Sequence, residues 1–210
     1  MKRTMATCAA LLVPLLMLSA PVDAQQRTVT GERVLTLEAR GSYGFPIGDF
    51  ANEFVEAESD VGMGFGASLM MNANIGIYAG WTRDMFDCEI CGAGDEIRVT
   101  GYEAGVQFEA PQMAGNIVPW VRGGLIAHRT RFLIEEVDFQ TDRELGFQGS
   151  VGFDAPIFGD WFSVSPSVRY NSITPELEIV DIGPIELGGD MDIQYLSFDL
   201  GLRFHVPRNW

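Results

Sequence analysis

The chain of 210 residues is 47% apolar and 20% charged, with 14 basic and 29 acidic residues and a formal charge of −15. That apolar content excludes a disordered chain, and so acidic a balance argues against a protein that neutralises nucleic-acid phosphates. Three cysteines are too few for a disulfide framework.

Residues 1–24 have the three parts of a secretory signal. Lys2 and Arg3 supply the positive start, Cys8 to Ala20 an apolar run, and Val22-Asp23-Ala24 the small residues before a cleavage site. The run is about a dozen residues, short of the ~20 that a spanning helix needs. Cys8 lies inside it, which argues against a lipoprotein site. The mature chain is expected to start at Gln25, with 12 arginines, 28 acids and no lysine. No later stretch is apolar for long enough to form a membrane helix.

From residue 33 the hydropathic period is two, the signature of strands with two unlike faces. Six segments show it in turn: about 33–46, 61–72, 74–84, 97–110, 117–129 and 144–156. In the first, Leu35, Leu37, Ala39 and Tyr43 oppose Thr36, Glu38, Arg40 and Ser42; in the fourth, Tyr102, Ala104, Val106 and Phe108 oppose Gly101, Glu103, Gly105 and Gln107. A seventh follows, with Phe162, Val164, Pro166, Val168 and Tyr170 opposite Ser163, Ser165, Ser167, Arg169 and Asn171. The last sets Leu196, Phe198, Leu200, Leu202, Phe204 and Val206 against Ser197, Asp199, Gly201, Arg203 and His205. Ten or so tilted residues cross a bilayer. Connections alternate between short ones rich in Asn, Gly and Pro (Asn72–Asn74, Pro111–Asn116, Ala155–Asp160) and long ones (about 47–60, 85–96, 130–143 and 172–192). The expected fold is an all-β, eight-stranded antiparallel up-and-down transmembrane β-barrel over residues 33–210, with residues 25–32 as a periplasmic lead-in and both termini at the short-turn end.

Period two does not say which face points out. A soluble, lipocalin-like carrier would turn the apolar face inward around a ligand. Three features favour the inverse: a polar face rich in Gly and Ser, the lack of lysine on it, and aromatics at both ends of the apolar face. One girdle comprises Phe108, Phe153, Trp161, Phe162 and Phe204, the other Tyr43, Phe45, Trp81, Tyr102, Tyr170 and Tyr195. Bilayer interfaces select such belts.

The stretch Gly41-Ser42-Tyr43-Gly44-Phe45-Pro46-Ile47-Gly48-Asp49-Phe50 resembles the first strand and loop of the small bacterial outer-membrane β-barrels of the opacity-protein, OmpX and OmpA transmembrane-domain type. Val118-Pro119-Trp120-Val121-Arg122-Gly123-Gly124 resembles their fifth strand, and Asp199-Leu200-Gly201-Leu202-Arg203-Phe204-His205-Val206 their terminal strand. The resemblance implies a cell outer-membrane location of Gram-negative type, with long loops outside and termini in the periplasm. It also implies a monomer in contact with outer-membrane lipid and lipopolysaccharide, and assembly-machinery recognition through Gly201, Phe204, Val206 and Trp210. Such chains usually end on the strand's own aromatic, whereas here Pro207-Arg208-Asn209 precedes Trp210.

On the inward face, Glu38, Glu103, Asp154 and Asp199 meet Arg40, Arg122, Arg169 and Arg203. Eight strands leave little open space, so these charges must pair. The guanidinium fork suits that task. A filled, charge-paired lumen points to a structural or surface-interaction role, adhesion-like; a narrow porin-like passage for small solutes or ions is the alternative. No enzyme, metal or cofactor is expected. His128 has no serine two residues on, and His205 has only Ser197, eight residues along the same strand and out of reach. Cys88 and Cys91 form a CxxC in the second long connection, which in an exported chain is expected to be a loop-stapling disulfide. The four long connections and their flanks hold 20 of the 28 mature acids, with Glu176, Glu178, Asp181, Glu186, Asp190 and Asp192 in the last. They make a solvated surface or collect divalent cations that bridge lipopolysaccharide. Alternation in the last connection suggests a hairpin with an exposed edge.

Overall fold

A computed structural model describes residues 33–52, 57–88, 96–113, 116–134, 137–159, 161–174, 176–182, 185–190 and 192–207. The signal segment, the lead-in 25–32, Cys91 and Trp210 lie outside the described residues. Eight long strands make the barrel: β1 (Arg33–Ile47), β2 (Ala57–Met70), β3 (Ile75–Cys88), β4 (Glu96–Glu109), β5 (Val118–Ile134), β7 (Glu144–Phe158), β8 (Phe162–Ile173) and β11 (Ile193–Pro207). Each pairs antiparallel with its neighbour in sequence, and β1 pairs with β11 to close the cylinder. The short β6 (Val137–Gln140) continues β5 as a hairpin, and β9 (Glu176–Ile182) with β10 (Ile185–Asp190) forms a separate two-stranded sheet in the last long connection. A single helical turn, α1 (Asp49–Asn52), follows β1.

The short turns are built by their side chains. Asn72 Oδ1 accepts the backbone N–H groups of Asn74 and Ile75 at 2.9 and 2.8 Å, closing the β2–β3 turn with a side chain. Gly159 (φ +58°) takes the left-handed conformation at the β7–β8 turn, where a Cβ would strain the chain.

The period-two pattern resolves into an inside-out barrel. On β11, Phe198, Leu200 and Leu202 are 58–60% exposed, while Ser197, Asp199 and Arg203 between them are 0–6% exposed. The soluble-carrier arrangement, with those apolar residues around a cavity, is therefore excluded by the direction of the side chains. The outward band between the short turns and the ring of Tyr43, Tyr102 and Phe147 is apolar and exposed.

Above that ring the pattern inverts. Phe86, Ile97, Val99, Ile126, Phe132, Ile173 and Ile193 point inward and are buried, together with Tyr195 and with Phe50 from α1. Phe50 meets Phe86 edge-on at 5.2 Å, and Phe86 meets Tyr195 at 5.1 Å. The long-connection end of the barrel thus has an apolar interior and a polar exterior, the arrangement water demands. Two expectations are corrected. Tyr195 does not belong to the outer aromatic girdle; it is buried inside. The ladders of β3 and β5 also continue past residues 84 and 129, where outward positions become mixed (Met85 and Leu133 among Arg83, Asp87, Arg129 and Arg131) while strand pairing goes on.

Candidate functional site

The barrel interior holds the densest polar chemistry of the described residues, and each strand contributes through its inward positions. Glu38 on β1 is the hub. Its Oε2 accepts from Arg203 Nε and Arg122 Nη2, both at 2.8 Å, and its Oε1 from Arg40 Nη1 at 3.3 Å. Arg40 also donates to Glu103 Oε2 at 2.7 Å, and Arg203 Nη1 to Asp154 Oδ1 at 2.7 Å. Arg122 reaches Gln107 Oε1 through Nε at 2.6 Å, and Gln107 donates on to Glu109 at 2.6 Å. Trp120, inward on β5, carries the guanidinium carbons of Arg203 and Arg122 over its ring, 4.4 and 4.7 Å from the centroid. Its indole N–H donates to Asp154 and Ser165.

A second group lies nearer the long connections. Arg169 spreads its fork over two carboxylates, Asp199 (Nε, 3.0 Å) and Asp84 (Nη2, 3.1 Å). Asp84 also accepts the hydroxyls of Ser42 and Tyr195, both at 2.9 Å. All eight anticipated lumen charges face inward and are brought together in these two groups. Asp84 is a member that sequence reasoning missed: it ends the segment 74–84 beside an acid-rich connection, yet it shares parity with Tyr78 and Thr82 on the inward face. Five carboxylates therefore meet four guanidiniums directly, with a sixth, Glu109, joined through Gln107, and hydroxyl donors at Asp84 make up part of the difference. Glycine makes room for them. A Cβ at Gly80 would lie 2.9 Å from Glu103 Oε1 and 2.8 Å from the Phe65 carbonyl, so only a hydrogen fits.

Both histidines are buried inside. His128 Nε2 lies 3.3 Å from Thr82 Oγ1. His205 lies between Thr36 Oγ1 (2.9 Å to Nδ1) and Ser163 Oγ (2.8 Å to Nε2). The expectation that no serine is within reach of His205 is thus corrected: Ser163 stands across the β8–β11 ladder, where sequence distance says nothing. The orienting group at Nδ1 is a threonine hydroxyl where a triad has a carboxylate, and Ser163 is 1% exposed.

Of the anticipated terminal-strand residues, Gly201 faces inward, while Phe204 faces outward 5.0 Å from the Phe162 ring. Cys88 ends β3, and its pairing with Cys91 falls outside the described residues.

The sequence matches no protein-family model and no curated protein. Solved structures do match. Neisserial surface protein A aligns over 82% of this chain and 97% of its own, with a TM-score of 0.63 and 10% identity. The N-terminal β-barrel domain of Pseudomonas aeruginosa OprF aligns over 83% and 99%, with a TM-score of 0.50 and 11% identity. At such identities the likeness is one of fold: the chain has the architecture of the small outer-membrane β-barrels.

Proposed function

We propose that the protein is a closed outer-membrane barrel that works by presenting its long connections at the cell surface, in a structural or interaction role rather than as a pore or an enzyme. The supporting observation is that the interior is filled in two successive layers of different chemistry. Arg203 in the lower charged group and Arg169 in the upper one are each 1% exposed within the carboxylate network; beyond them, toward the long connections, Phe50 and Phe86 are 0% exposed within the apolar cluster. A conducting lumen needs a continuous wetted path, and each layer interrupts one: the first by paired side chains, the second by packed apolar side chains whose one polar tip, the Tyr195 hydroxyl, is bonded to Asp84. The surface role draws on the acid-rich connections and on the surface location that the name of the neisserial relative carries. The termini belong in the periplasm, β11 with Gly201, Phe204 and Val206 is the strand offered to the barrel-assembly machinery, and the barrel is a monomer.

The test is planar-bilayer recording on the mature protein, after a heat-modifiable gel shift has shown it folded. Silence at moderate voltage is expected. Steady, discrete openings would replace this reading with a narrow passage.

A further inference from the structure

Five of the chain's arginines stand outside the barrel on one side only. Arg83 on β3, Arg98 on β4, Arg129 and Arg131 on β5, and Arg143 just before β7 occupy adjacent outward positions on neighbouring strands. Thr100 is in register with both Arg83 and Arg129, so the three form one continuous cross-strand row. Directly below that row lies the pair Trp81 and Tyr102, also in register. The Arg83 guanidinium stands 5.4 Å from the Trp81 ring centroid, and that of Arg143 4.9 Å from the Tyr102 centroid. The same height is where the hydropathic pattern inverts: below it outward residues are apolar, above it the inward ones are. The row therefore marks the plane at which hydrocarbon gives way to headgroups.

Two further observations say what this plane holds. Arg83 Nε, Thr100 Oγ1 and Arg129 Nε have no hydrogen-bond partner among the described residues, although all three atoms are shielded from solvent. Two guanidiniums flanking a hydroxyl present several donors in one row, a set that suits an acceptor carrying several oxygens. Of the acids on this face, Glu96 is held by Arg98 in two bonds of 3.0 and 3.2 Å, and its register partner Asp87 stands exposed four residues along β3 from Arg83. The opposite wall, β1, β2 and β11, carries no outward arginine at that height.

We propose that Arg83, Thr100 and Arg129, with Arg143 beside them, form a binding site for the phosphate-bearing headgroup of an outer-leaflet lipid. The planar forks chelate phosphate oxygens, the threonine hydroxyl donates between them, and Trp81 and Tyr102 hold the sugar or acyl edge beneath. The site rests on the outer-membrane reading above but not on the closed lumen.

The mature protein, folded in detergent micelles, is titrated with diphosphoryl lipid A, with its fully dephosphorylated counterpart and with inorganic phosphate, and followed by native mass spectrometry. Retention of diphosphoryl lipid A, weakened roughly tenfold or more in R83Q/R129Q and substantially regained in R83K/R129K, is the expected result. The dephosphorylated lipid should bind the parent about as poorly as diphosphoryl lipid A binds the Gln variant. Inorganic phosphate at millimolar concentration should not displace the lipid. Equal binding of the two lipids by the parent protein overturns the site even if the Gln variant fails to fold, and so does equal binding by parent and folded variant. Displacement by inorganic phosphate alone would make it a free-anion site and overturn the lipid assignment. Heat-modifiable mobility of every variant separates loss of the site from loss of the barrel, and conductance of the parent bears on the lumen alone.

Discussion

Glu38 and Arg203 are register partners across the β1–β11 seam, and their side chains meet inside it at 2.8 Å. They are 165 residues apart in the chain, so this contact forms only when the two ends of the barrel find each other. Because Glu38 also receives Arg122 and Arg40, its loss would remove an acceptor from three guanidiniums at once; Arg203 keeps Asp154 and Arg40 keeps Glu103, while Arg122 is left with the neutral Gln107. Removing one partner of a buried ion pair typically costs about 3–5 kcal/mol. Glu38→Gln is therefore expected to fold more slowly and to lose its compact, heat-resistant gel mobility at a clearly lower temperature than the parent. Unchanged thermal resistance would show that the arginines are satisfied by other means.

The upper group admits a sharper test, because Arg169 alone serves Asp84 and Asp199 among the lumen arginines. Arg169→Met keeps bulk but leaves two carboxylates without their cation. It should be destabilised by roughly 3–5 kcal/mol, while the triple variant with Asp84→Asn and Asp199→Asn should regain most of the loss. Buried ion pairs replaced by neutral groups of similar shape are often nearly neutral in stability. Urea denaturation in lipid vesicles measures all three proteins. If the triple variant were no better than Arg169→Met alone, packing of the guanidinium would outweigh its charge.

The architecture was legible in the sequence because a bilayer forces strict alternation over the lipid-facing rows. Leu200 beside Gly201 and Leu202 beside Arg203 leave no other phase. What was not legible lies beyond the membrane plane. There Tyr195 reads as part of the outer girdle and Asp84 as the end of a strand segment rather than a lumen charge, since apolar residues such as Phe86, Ile97 and Ile193 take over the inward face. The Ser163–His205 contact was hidden for a different reason: it depends on the register of β8 against β11, which no local pattern specifies. The arginines of the outer row were visible as residues, but only strand pairing places Arg83, Thr100 and Arg129 side by side.

Gly80 shows how tightly the network is fitted. A methyl group there meets both the Glu103 carboxylate and the Phe65 carbonyl, and backbone does not yield as a flexible side chain does. Gly80→Ala is expected to cost about 1–3 kcal/mol, whereas the same change at Gly149, where a Cβ meets nothing within 4 Å, should be nearly silent. Thermal gel-shift midpoints of the two variants decide the matter; equal midpoints would mean that the lumen has slack.

If the interior is closed by two layers, neither alone should open it. Phe50 is fully buried against Phe86, so Phe50→Ala removes most of its ring and should destabilise the apolar layer by about 3–5 kcal/mol. The charged layer below remains, because Glu38, Arg40, Arg122 and Arg203 are held by one another and by Glu103 and Asp154. Bilayers holding Phe50→Ala should therefore stay silent, and those holding Arg122→Ala should stay silent as well, since the apolar layer is intact. The double variant removes material from both layers and is expected to leak small ions. Current through Phe50→Ala alone would place the whole barrier in the apolar layer and reduce the arginine–carboxylate network to a scaffold.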